Sequence, residues 1–76
     1  MSDAIRNLMD VILRGIVEDE GFARELADAA FQLGSDDDLV SVQVLCSLSR
    51  QHRVRAIKGR AELAALAERY IRGECP

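Results

Sequence analysis

Midway along the chain, Leu33-Gly34-Ser35-Asp36-Asp37-Asp38-Leu39 runs a helix stop directly into a helix start. Gly34 has no Cβ and can take the left-handed conformation that closes a helix. Ser35, Asp36 and Asp37 can each accept a hydrogen bond from the free N–H groups of a new helix. Three carboxylates at the positive end of that helix's dipole contribute roughly 0.3–1 kcal/mol each, less their mutual repulsion. A helix is therefore expected from near Asp38 to Leu48. Leu39, Val42, Cys46 and Ser49, or Val40, Val44 and Leu48, would form its buried stripe.

Upstream, Ser2 or Asp3 can cap a helix whose apolar positions Ile5, Leu8, Met9, Ile12, Leu13 and Ile16 follow helical spacing. Glu18, Asp19, Glu20 and Gly21 then interrupt the pattern and predict a connection. A second helix is expected over Phe22, Leu26, Ala29, Ala30 and Leu33. Downstream of Leu48, SRQHRVRAIKGR (49–60) holds five bases and no acid. Its helical signal fades near His52, and Gly59 reads as a breaker. A last helix follows, with Leu63, Leu66, Ala67, Tyr70 and Ile71 on one face and Gly73 as its closing residue. Four amphipathic segments with short connections predict an all-α fold, a small antiparallel four-helix bundle formed as one domain over residues 1–76.

Charge is divided unevenly along the chain. Residues 1–49 hold ten acids against three bases, and residues 50–76 seven bases against three acids, so the net charge of −3 conceals two opposite halves. Such a chain is either internally complementary or offers two faces to partners. The acidic balance disfavours a general nucleic-acid binder, although Arg50, Arg53, Arg55, Lys58 and Arg60 are the bases such a role would use. Cys46 and Cys75 make no disulfide framework. Without a signal peptide or long apolar run, a cytoplasmic setting is expected and no membrane span.

A family resemblance enters through Phe31, Asp37-Asp38-Leu39 and Val42-Gln43-Val44. Their spacing is similar to the signature that opens the second helix of acyl and peptidyl carrier proteins. His52-Arg53-Val54 and the segment 61–71 look like later parts of such a carrier, and residues 2–17 like its first helix. The resemblance implies a carrier-like bundle that docks on a biosynthetic enzyme through the helix from Asp38 to Leu48. Asp38 stands where the carrier's attachment serine belongs, and a carboxylate cannot receive phosphopantetheine. The Leu33-Gly34 pair is displaced one residue toward the N-terminus, and neither Ser35 nor Ser41 is in the right frame. The expectation is therefore a carrier-like module with no cofactor, its partner-binding residues being Asp36, Asp37, Asp38, Leu39, Val42, Arg53 and Arg55.

Other chemistry finds little footing in the residues. His52 is the sole histidine, it neighbours Arg53, and no nucleophile motif or phosphate loop accompanies it, so no catalytic residue is assigned. The aspartate run lacks the alternating ligands of a calcium loop, and no metal site is expected. The alternative reading, from size, alanine content and opposed charge, is a small helical adaptor or chaperone. It would bind a partner protein's helix and could form a homodimer.

Overall fold

The computed structural model describes residues 2–34 and 38–73, which form two helices, α1 (Ser2–Gly34) and α2 (Leu39–Arg72). They pair as an antiparallel hairpin. Along α1 the contacts fall at Ala23, Asp19 and Ile16, while their partners on α2 rise through Ser49, His52 and Gly59. The molecule is a rod of 55 × 14 × 12 Å with a radius of gyration of 16.9 Å, against about 11 Å for a compact chain of this length.

The expected four-helix, carrier-like bundle is thus corrected to two helices, and the missing breaks are explained by contacts between them. At 18–21 the helix continues because Asp19 and Glu20 meet hydrogen-bond donors from α2. His52 Nδ1 lies 2.8 Å from Asp19 Oδ1, and Arg60 bonds to Glu20. Gly21 is helical there, with open space around it. Gly59 does not break α2 either. A Cβ on it would stand 2.8 Å from Ile16 Cγ1, so this glycine is a point of close helix contact. The basic segment 49–60 is helical throughout.

The local signals at the hairpin end coincide with the observed boundaries. α1 ends at Gly34, and Asp38 is the N-cap of α2. The Ser41 N–H donates to Asp38 Oδ1 at 3.2 Å, and the Val42 N–H donates to the Asp38 carbonyl at 3.1 Å. Asp36 and Asp37, like Ser35 and Cys75, lie outside the described residues. Gly73 closes α2 in the left-handed region, φ 74°, its N–H donating to carbonyls of Arg69 and Tyr70.

One spacing rule organises the seam. Shielded positions of α1 recur as Ile5, Met9, Ile12, Ile16, Asp19, Ala23, Leu26, Ala30 and Leu33, in steps of four and three. Those of α2 recur as Val42, Leu45, Ser49, His52, Ala56, Gly59, Leu63 and Leu66. A sustained seven-residue repeat keeps one stripe facing a partner helix over the full length. At the middle the seam residues are small. Ala23, Ala30, Ser49 and Ala56 are buried there, and this allows the backbones to approach.

Candidate functional site

The same four-and-three spacing, shifted around each helix, creates a second stripe on one side of the seam. On α1 it reads Leu13, Val17, Glu20, Arg24, Ala27 and Phe31. On α2 it reads Cys46, Arg50, Arg53, Ile57, Arg60, Ala64, Ala67 and Ile71. Where the seam residues are alanines, the space between these stripes is a groove with two adjoining concavities of about 500 and 410 Å³. Ala27 and Arg53 line both. Ala23, Ala30, Ala56 and Ser49 contribute to the floor. Phe31, 83% exposed, and Ile57, 64% exposed, stand among the walls with four arginines, Arg24, Arg50, Arg53 and Arg60.

Polar groups in the adjoining seam hold the walls in register. The Ser49 hydroxyl donates to the Ala23 carbonyl at 2.8 Å, and its residue is buried. This bond ties the two helices where small residues line the seam, while satisfying a hydroxyl that would otherwise cost roughly 1–3 kcal/mol to bury. Because a carboxylate oxygen only accepts, His52 Nδ1 donates to Asp19. The His52 ring also lies 5.4 Å from the Phe22 ring, tilted 47°. Asp, His and Ser thus lie along one seam, but the serine hydroxyl bonds to a backbone carbonyl on the other helix rather than to the imidazole. The arrangement orients helices; it is not a nucleophile relay.

The residues expected to bind a partner are dispersed. Arg53 and the half-buried Val42 enter the groove. Arg55 lies on the opposite side of the seam, in a hollow with Ile12, Gly15 and Gly59. Asp38 and Leu39 are exposed at the start of α2, and the Asp38 carboxylate is engaged as a cap. Sequence reasoning passed over Arg24, Ala27, Phe31 as a wall, and the tie between Asp19 and His52. The signal that could have found them is the unbroken seven-residue repeat, which continues through both supposed breaks.

Among the described residues no cluster of His, Cys, Asp or Glu could hold a metal ion, and no helix is long and apolar enough to cross a membrane. What the groove offers is shape, apolar surface and positive charge. No protein-family model, curated protein or solved structure matches this chain.

Proposed function

We propose that this chain is a non-catalytic helix-binding module, an adaptor or chaperone that takes an amphipathic helix of a protein partner into the groove beside Arg53. The observation that carries this reading is the imbalance between buried and exposed apolar side chains. Among the described residues, Ile5 and Ile16 are the only buried ones larger than alanine, whereas fourteen large apolar side chains are exposed. Two buried isoleucines contribute about 1.5–3 kcal/mol each, little against the entropy of ordering two long helices. A surface of this kind is completed by association, and a groove with apolar walls suits a helix laid lengthwise.

The arginine rim favours an acidic helix flank, and the bases would speed encounter more than they add affinity. Docking on a biosynthetic enzyme, as the carrier resemblance implies, would also bring the exposed Asp38 and Leu39 into the contact, without a prosthetic group. The exposed free thiol of Cys46 accords with a reducing cytoplasm.

The test uses a fluorescent reporter on Cys46, at the edge of the groove, with Cys75 replaced by serine, titrated with a synthetic helical peptide bearing a leucine stripe flanked by glutamates. A saturable change, weakened at least tenfold by Arg53→Glu, is the expected result. No change up to millimolar peptide would overturn the proposal.

A further inference from the structure

We infer that the occupant of the groove is a second copy of this chain, so that two hairpins close into an antiparallel four-helix dimer. This rests on the helix-binding reading above and names its partner. Three observations converge on it.

The first is area. A folded chain of 8.4 kDa ordinarily exposes about 4,600 Å², whereas this hairpin exposes 5769 Å². The excess, on the order of 1,100 Å², exceeds the roughly 800 Å² that each partner buries in a standard stable interface.

The second is charge. α1 carries seven carboxylates against three arginines, and α2 seven bases against two carboxylates. On the groove side of its α1, a second copy brings Glu20 and Asp28, beside Arg24, to the arginines of α2. A two-fold axis parallel to the helices, and no other two-fold between the same faces, lays α1 of each copy on α2 of the other.

The third is register. That axis preserves height along the rod, and heights are fixed within the hairpin by the pairs Asp19–His52 and Ala23–Ser49. Leu13 and Val17 then come level with Ile57 of the second copy, and Phe31 with its Leu39. All five are exposed in the single hairpin. Apolar side chains therefore meet apolar ones, and Glu20, bonded to Arg60 of its own chain, is level with the second copy's arginines at 50 and 53. Every neighbouring pair of helices is antiparallel, the arrangement of an up-down-up-down bundle.

The experiment is sedimentation velocity on the full chain between 1 and 100 µM under reducing conditions, beside circular dichroism. The account expects twice the 8.4 kDa chain mass and a melting temperature that rises with chain concentration. Val17→Glu with Ile57→Glu should weaken the dimer at least 100-fold. Arg53→Glu, exposed and outside the seam, should weaken it about tenfold without loss of helicity. Val11→Glu with Val44→Glu, away from the groove, should leave the dimer intact.

A helical monomer at 100 µM with a concentration-independent melting temperature would overturn the inference. If that monomer still bound the glutamate-flanked peptide, the helix-binding module would stand without self-association. If it did not, both would fall. A dimer broken by the Val11 and Val44 pair but not by the groove pair would also overturn it, because the wrong face would be covered.

Discussion

Gly21 and Gly59 both sit within helices, yet replacing each by alanine should move stability in opposite directions. At Gly21 an added methyl meets nothing within 4 Å, so only helix propensity changes, a gain of about 1 kcal/mol. At Gly59 the same gain is opposed by contact with Ile16 Cγ1 at 2.8 Å. That atom cannot swing away cheaply, because Ile16 is buried and a β-branched side chain in a helix has essentially one rotamer. Overpacking of this kind costs about 1–3 kcal/mol, leaving Gly59→Ala destabilised by about 1 kcal/mol. Urea unfolding followed by circular dichroism at one fixed chain concentration reads both. For a chain of this size a 1 kcal/mol change is a shift of about 4–8 °C in melting temperature. In the double mutant with Ile16→Ala, the new methyl enters the space the isoleucine leaves. Its loss should then fall short of the summed single losses by about 1–2 kcal/mol. If Gly59→Ala stabilised as much as Gly21→Ala, the close helix approach would be refuted. If Gly21→Ala destabilised, the continuity of α1 would be refuted instead, because a left-handed glycine at a helix end tolerates no such exchange.

Other perturbations test the remaining contacts. Asp38→Ala removes the side chain that caps α2 and should cost about 1 kcal/mol in urea unfolding; no loss would mean the cap is idle. Ser49→Ala gives up one buried hydrogen bond and should cost about 1 kcal/mol. Ser49→Leu forces the helices apart and should lower helicity much further, so equal effects would contradict a tight seam. His52→Ala removes both the Asp19 bond and the Phe22 ring contact. In a double-mutant cycle with Asp19→Ala, the two residues should show a coupling of about 0.5–3 kcal/mol, and additivity would mean they do not interact.

The parts of this fold that the sequence announced are those decided within a few residues. Gly34 as a stop, Asp38 as a cap and Gly73 as a closing residue depend only on local backbone and side-chain chemistry. The four-helix expectation failed where a residue's role is set from far away. Asp19, Glu20 and Gly21 look like a connection until His52 and Arg60, more than thirty residues on, supply partners for the two acids. Gly59 looks like a breaker until Ile16 is placed against it. The two stripes offered for the start of α2 caught Val42 and Ser49, which are shielded, but also took in Leu39, Val40, Val44, Cys46 and Leu48, which are exposed, and missed the shielded Leu45. A seam containing aspartate, serine, histidine and glycine is faint to a rule that looks for apolar residues. The groove was fainter still, since its floor is alanine and its walls are arginines separated by an α-helical turn, readable as a site only once both helices run uninterrupted.

The most direct measurement of that continuity is the distance along α1 in solution. Spin labels at Arg6→Cys and Gln32→Cys, both exposed positions, with Cys46 and Cys75 replaced by serine and the labelled chain diluted in unlabelled, can be read by pulsed dipolar spectroscopy. An unbroken helix rising 1.5 Å per residue sets the two positions about 39 Å apart. A chain folded back at Gly21 would bring them within about 10–20 Å, and a distribution centred there would contradict the hairpin and with it the groove.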